Sequence, residues 1–410
     1  MATLPEETHR LAFPSLPDLE NPAYVSYGKT HHEACAHHVK ETYDAKRVYI
    51  VASGSLSKNT DEVDKLKAAL RDRVVDDVLE ATKDAKERGA DCIVTIGGGS
   101  LSDGAKAMLL FLANDVTSVD AIYGLAERIP RSGSSAFARS KAIPIIAPTM
   151  PLLCIPTTLS GGEFSHFTGG TDPKNNLKLT MGHPFCGPRL LIFDPALSIT
   201  SPEWVWLSTG VRAIDHAVET FCQTNVPDED VDKASLDAFK SVVLNLLITK
   251  RDWTNEEARL KSQLGVNSAM IMLKKDILPG ASHGIGHQLG PFGVGHGETS
   301  CILLPAILKW NAKVNGKKQE QLKTVMWQES PIREVLQARG LAEKNSDAGD
   351  ALDAIFRELG MPRSMAEKNI GRDQFDSLAE NSLKDAMTKA NPRPVKTKAD
   401  VVEILGMCAG

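Results

Sequence analysis

Imidazole suits two jobs near neutral pH, holding a divalent metal and moving a proton, and this chain gathers it in two places. One run, Ser282-His283-Gly284-Ile285-Gly286-His287-Gln288-Leu289-Gly290-Pro291-Phe292-Gly293-Val294-Gly295-His296, carries three histidines. Upstream, Gly210-Val211-Arg212-Ala213-Ile214-Asp215-His216-Ala217-Val218-Glu219 carries a fourth. His283 and His287 are four residues apart, and so are Arg212 and His216, so on helices each pair shares a face. Gly210 is expected to open its helix. The register, broken by a glycine turn before His296, points to one working group of Arg212, His216, His283, His287 and His296. Whether that group holds metal or handles protons turns on Arg212.

A second set of residues could cradle a nucleotide. Gly97-Gly98-Gly99-Ser100 follows an apolar run and leads into Asp103-Gly104-Ala105-Lys106. Glycines let a backbone approach a pyrophosphate, and a helix start offers it free N–H groups. The run is not the GxGxxG fingerprint, and a plain tight loop is the competing reading. Pro156-Thr157-Thr158-Leu159-Ser160-Gly161-Gly162-Glu163 adds hydroxyls after another strand. Open α/β sheets bind ligands beyond the carboxyl ends of their strands, where the two loops would meet. After the strand ending at Val51, where an acidic ribose reader would stand, come Ser53, Ser55 and Lys58. That setting favours NADP while admitting NAD; a solvated serine turn is the plain alternative. Histidines 31, 32, 37 and 38, with Cys35, read as an exposed polar helix face rather than a metal site. His9, His166 and His183 join no constellation.

These residues need elements to position them. Stretches 47–52, 92–96, 152–156 and 190–194 read as strands, and 60–72 and 76–89 as helices between them. Continuous apolar strands alternating with helices predict a parallel sheet covered on both faces. Beyond Pro202 the periodicity is helical throughout, at 204–223, 231–248, 258–273 and 303–311. The fold class is therefore an α/β dinucleotide-binding domain with a parallel sheet over 1–200, followed by an all-α domain over 201–410. The polar stretch 116–148 follows no clear period and reads as an insertion or lid. With 42% hydrophobic and 24% charged residues the 410-residue chain has globular composition. Its net charge of −5 gives no electrostatic footprint for nucleic acid. No apolar run is long enough for a bilayer span, and the first residues do not resemble a signal peptide. Seven cysteines without a CxxC pair suggest reduced thiols and a cytoplasmic protein.

Taken together, the Gly97 turn, Pro156-Thr157-Thr158, Asp194-Pro195, the 210–219 segment and the His283–His296 run resemble the iron-containing alcohol dehydrogenase family, within the wider dehydroquinate synthase-like group. The resemblance covers most of the chain, and the combination is specific although each piece is not. It implies NAD(P)-dependent oxidation or reduction, a homodimer, and Lys178 facing the cofactor. The family holds its metal with one Asp and three His, the Asp four residues before the first His. His216, His283 and His296 match those histidines and His287 matches an additional one, but Arg212 stands where the Asp would be. The stretch from His283 to His296 is also one residue short. A guanidinium keeps its proton and has no acceptor lone pair, so it cannot be a ligand, and its charge opposes a divalent cation. At ~100° per residue Asp215 is expected to point away from the side that 212 and 216 share.

The maleylacetate reductase branch also lacks the Asp and is regarded as metal-independent. Gly161-Gly162-Glu163 followed by Gly169-Gly170-Thr171 resembles that branch more loosely. The expectation is a metal-free NAD(P)H-dependent reductase of a carbonyl or activated alkene, acting on a small carbonyl- or carboxylate-bearing molecule. Arg212 would hold the developing oxyanion, with His287 or His283 giving the proton. Pairing of Arg212 with Asp215 or Glu219 is the structural alternative. Competing functions are a metal-dependent alcohol dehydrogenase, a lyase of the dehydroquinate synthase type and a non-catalytic dinucleotide-binding protein.

Overall fold

The computed structural model describes residues 5–16, 19–70, 78–128, 145–171, 178–224 and 227–410. The chain divides into two compact units between Ser201 and Pro202.

In the first unit the strands are β1 (Glu7–Leu11), β2 (Tyr24–Tyr27), β3 (Val48–Ala52), β4 (Cys92–Gly97), β5 (Leu152–Pro156), β6 (Phe167–Thr171), β7 (Lys178–Gly182) and β8 (Leu190–Phe193). Six of them form a sheet in the order β1-β2-β8-β5-β4-β3. Only β1 runs antiparallel to its neighbour; the other pairings are parallel. Every residue of β4 and β5 is buried, as their unbroken apolar sequence requires when both sheet faces are covered. Ile50, Val94, Ile96, Ile155 and Ile192 pack with Leu56, Val63 and Leu66 of the helices Gly54–Asn59 and Glu62–Leu70. β6 and β7 form a separate antiparallel pair. The stretch read as an aperiodic insertion begins with a helix, Val119–Arg128; 129–144 lie outside the described residues.

The second unit contains no strand among the described residues. Its long helices are Glu203–Phe221, Glu229–Arg251, Glu256–Ala269 and His296–Gln328. Gly210 does not open the first of these, contrary to the sequence reading. It lies mid-helix, where an added Cβ would sit 2.6 Å from Leu246 Cδ2. The glycine is there because the 229–251 helix packs too closely for a side chain. Gly297 has the same role, since a Cβ there would lie 2.4 Å from the Ser208 carbonyl oxygen. Backbone contact at that point sets the start of the 296–328 helix against the Arg212 helix. Among the described residues no helix is long and apolar enough to cross a membrane.

Candidate active site

Two consecutive turns of the 203–221 helix bury Arg212, Asp215, His216 and Glu219. Asp215 lies at the centre, and the expectation that it points away from Arg212 is corrected here. Its Oδ2 is 3.6 Å from Arg212 Nη1 and 3.4 Å from His283 Nδ1. Residues three apart are also helix neighbours, and a long arginine side chain bridges the remaining angle. The same oxygen accepts from Ser300 Oγ at 2.5 Å and from Ser282 Oγ at 2.9 Å. Arg212 Nη1 donates to Ser300 Oγ at 3.0 Å. Its other guanidinium nitrogens make no hydrogen bond among the described residues. Arg212 thus does pair on its own helix, and keeps donors over.

Glu219 organises the next element. Its carboxylate accepts backbone N–H groups from Gly280 and Ser282, both at 2.8 Å, and from His283 at 3.4 Å. These are leading amides of the helix Ala281–Gly286, which has no side-chain cap of its own; a carboxylate from a neighbouring helix satisfies them and suits the positive helix end. Glu219 Oε2 also lies 2.8 Å from His283 Nδ1. A carboxylate can only accept, so Nδ1 carries the proton and Nε2 of the neutral ring is left as the acceptor. That Nε2 is buried without a hydrogen-bond partner, as are His216 Nδ1 and Asp215 Oδ1. The His216 and His283 rings stand 4.6 Å apart, and those of His287 and His296 5.7 Å. His287 Nδ1 lies 2.9 Å from Asp385 Oδ2.

Burial, then the charge of Arg212, holds His216 and His283 well below the usual imidazole range. Burial raises the carboxyls of Asp215 and Glu219. Arg212 and the serine hydroxyls oppose that rise at Asp215, and backbone N–H groups oppose it at Glu219. The two deepest imidazoles are therefore neutral around a buried guanidinium.

In the first unit, the loops after β3, β4 and β5 meet at the carboxyl ends of those strands. Gly97 has φ 147°, in the region that side chains avoid. A Cβ on Gly98 would lie 3.3 Å from Thr158 Cγ2, and one on Gly99 only 2.5 Å from Ser160 Oγ. Thr157 N donates to the Gly97 carbonyl at 3.0 Å, and Thr158 Oγ1 to Ser160 Oγ at 3.3 Å. The helix Gly99–Ala113 begins here without a side-chain cap, and Ser100 on its first turn is exposed. Uncapped amides beside serine and threonine hydroxyls are a setting for a phosphate. Ser53 caps the 54–59 helix, accepting from Leu56 N at 3.5 Å, and Ser55 is exposed on its first turn. Lys178 begins β7, and its side chain lies outside the described residues.

The sequence reading passed over several supports. Lys106 is fully buried, 2.6 Å from Asp103 Oδ1 and donating to the Gly162 carbonyl at 2.9 Å. It ties Asp103 to the far loop, and its spacing three residues after Asp103 was a readable signal. Beneath the same loops Glu163 is pushed up to about 7 by burial, Lys106 partly opposing. The exposed-face reading of the N-terminal histidines is wrong for His31 and His38, which are both buried. Asp194 accepts from the backbone N of His31 at 2.8 Å, lies 3.0 Å from its Nδ1, and caps the short helix Pro195–Ser198. His31 thus pins the end of β8 to its own helix, a structural role. His38 pairs with Thr42 Oγ1 at 2.9 Å.

Comparison with known proteins gives concordant matches. A family model described as iron-containing alcohol dehydrogenase matches residues 22–195, and one described as Fe-containing alcohol dehydrogenase family, C-terminal, matches residues 206–408. A dehydrogenase of Gibberella moniliformis, FUM7, is 37% identical over 419 residues, covering 94% of this chain and 96% of its own length. An alcohol dehydrogenase from Oenococcus oeni has a similar structure, with TM-score 0.75 and 24% identity over 92% of this chain and 96% of that one. A maleylacetate reductase from Agrobacterium tumefaciens superposes with TM-score 0.72 and 20% identity, over 95% and 96%. The two structural likenesses speak to the fold alone.

Proposed function

Because the chain belongs to the iron-containing alcohol dehydrogenase family, and is with it an oxidoreductase of the alcohol dehydrogenase type, we propose that it reduces a carbonyl or activated alkene with NAD(P)H, and does so without a metal. The observation that carries this reading is Arg212, a buried cation held by Ser300 and Asp215 within electrostatic reach of His216 and His283. A divalent ion does not fit these residues. Asp215, Glu219 and His283 do bring ligand atoms within 4.8 Å of one another. Yet Asp215 Oδ2 and both Glu219 oxygens already accept hydroxyl, backbone and imidazole hydrogens. A metal bound through those oxygens would break those bonds, and any cation here would sit beside a guanidinium.

In the proposed step, hydride leaves nicotinamide C4 for the electrophilic carbon of the substrate, and the electron pair of its π bond moves to oxygen, or to the conjugated acceptor of an alkene. Donors of Arg212 not used by Ser300 stabilise that charge or hold a substrate carboxylate. His287 supplies the proton. It is the better donor because His283 is wholly enclosed, whereas the His287 side chain is 18% exposed. In the loops of the first unit, the absence of an acidic residue between Ala52 and Asn59, with Lys58 present, supports NADP over NAD. The seven buried, unpaired cysteines fit a cytoplasmic setting, and a homodimer is the assembly we propose.

The test pairs elemental analysis of the purified protein with turnover after prolonged chelation, and adds nicotinamide-fluorescence titrations with NADPH and NADH. Turnover should survive chelation with no stoichiometric metal, and NADPH should bind more tightly. Iron or zinc at one per chain, with activity that a chelator abolishes, would sink the metal-free reading.

A further inference from the structure

We infer that Asp385 is a positioning residue for the proton transfer, fixing which nitrogen of His287 faces the reacting atoms. This deepens the function proposed above and rests on it. The carboxylate is held at both ends. Its Oδ1 accepts the backbone N–H of Met387 at 2.8 Å, capping the helix Ala386–Ala390, and its Oδ2 lies 2.9 Å from His287 Nδ1. A carboxylate anchored in this way accepts the Nδ1 proton, so Nε2 is the nitrogen that takes up the second proton of the imidazolium and gives it to the substrate, the ring returning to its Nδ1–H form. Burial pushes the Asp385 carboxyl up, but the contact with His287 and the backbone N–H groups outweigh it and hold the group below its ordinary value.

The surrounding chain keeps this pair in register. A Cβ on Gly284 would lie 2.2 Å from Thr388 Oγ1 and 2.4 Å from Thr388 N, so the 281–286 helix and the 386–390 helix touch through their backbones. Asn391 then accepts the Ala281 N–H at 3.1 Å and exchanges two hydrogen bonds with Asn311, at 3.1 and 2.7 Å. His287 and Asp385 are thereby set by the same contact that seats the rest of the histidine run. His287 differs from its neighbours in this respect. His283 has its own carboxylate in Glu219 but is fully enclosed, whereas His287 and Asp385 each keep 18% of the side chain exposed. A carboxylate–imidazole pair open to a ligand is the arrangement in which a general acid is oriented rather than merely packed.

The experiment uses Asp385→Asn and Asp385→Glu in the full chain, with 15N-histidine spectra at a pH where the ring is neutral. The parent should show His287 protonated on Nδ1; a ring protonated on Nε2 would overturn the inference before any variant is made. In Asp385→Asn the amide oxygen can keep the helix cap while its NH2 turns to His287. The ring should therefore switch its proton to Nε2, and kcat should fall about 10- to 100-fold with the KM for reduced nicotinamide unchanged. Asp385→Glu should restore the parent tautomer and part of the turnover. An unswitched ring, turnover within about twofold of the parent, or equal losses in Asn and Glu variants would each overturn it. If the parent oxidises no reduced nicotinamide with any carbonyl offered, the functional reading fails, and the spectra alone then decide whether Asp385 orients the ring.

Discussion

The loops at Gly97 and Thr157 are assembled from main-chain groups and small hydroxyls, with Gly99 and Ser160 close enough to exclude a Cβ. The cluster around Asp215 is assembled from polar and charged side chains, with Ser282, Ser300, Arg212 and His283 all converging on one carboxylate. The first kind of site is limited by space and tolerates changes of charge nearby. The second is limited by charge, since removal of any member strands a buried partner. Binding of a common cofactor needs only a surface that fits it, whereas chemistry needs protons and charges in fixed places.

The sharpest way to break this contrast is Arg212→Ala. It deletes the buried cation and leaves Asp215 without its counter-charge, so turnover should drop by about a hundredfold. Stability should fall by about 3–5 kcal/mol, with nucleotide affinity in fluorescence titration unchanged. Turnover like that of the parent would end the role given to the guanidinium. Next in size is Gly99→Ala, which forces Ser160 to turn away and breaks its bond with Thr158. Nucleotide binding should weaken by up to about tenfold, or about 1.4 kcal/mol, while the imidazole cluster keeps its histidine spectrum. Equal damage to both regions would show that they do not differ as described.

A third readout, stability against pH, concerns Glu163, a buried carboxyl beneath the Gly97 and Thr157 loops. Its folded value is raised from 4.5 to about 7 by burial, so the native state binds the extra proton between those limits. Stability from this group is complete below about pH 4.5 and is lost as pH rises to about 7, by an amount on the order of 3 kcal/mol. Glu163→Gln should flatten that segment of the stability–pH curve in urea titrations. A curve with the same slope in both proteins would remove Glu163 from the account.

Much of this was legible in the chain, and what was not has physical causes. Runs such as Cys92–Ile96 and Leu152–Pro156 announce themselves because parallel strands buried on both faces are unbroken in hydrophobicity. β1, with Glu7, Thr8, His9 and Arg10, is a polar edge strand, and β2 is four residues long, so neither carries that mark. Glycine is read correctly at one point and not at another: Gly97 is the turn its pattern indicates, whereas Gly210 is a helix interior shaved for a neighbour that no local pattern names. The histidines of the run and their helical spacing could be read directly. Their carboxylates could not, because the partner of His287 lies 98 residues away and that of His31 lies 163 away. Asp215 was misjudged by treating helix angle as the whole of side-chain reach.

The long separation between His287 and Asp385 bears on how the molecule is made. A chain growing from its N-terminus completes Arg212, Glu219 and His283 well before the segment holding Asp385 and Asn391 exists to close over them. Until then these ionisable groups remain in water, where charge costs little and no imidazole is forced neutral. The lowered basicity of His216 and His283 is therefore a property acquired late in biogenesis, and partial chains should carry these two rings with more ordinary basicity.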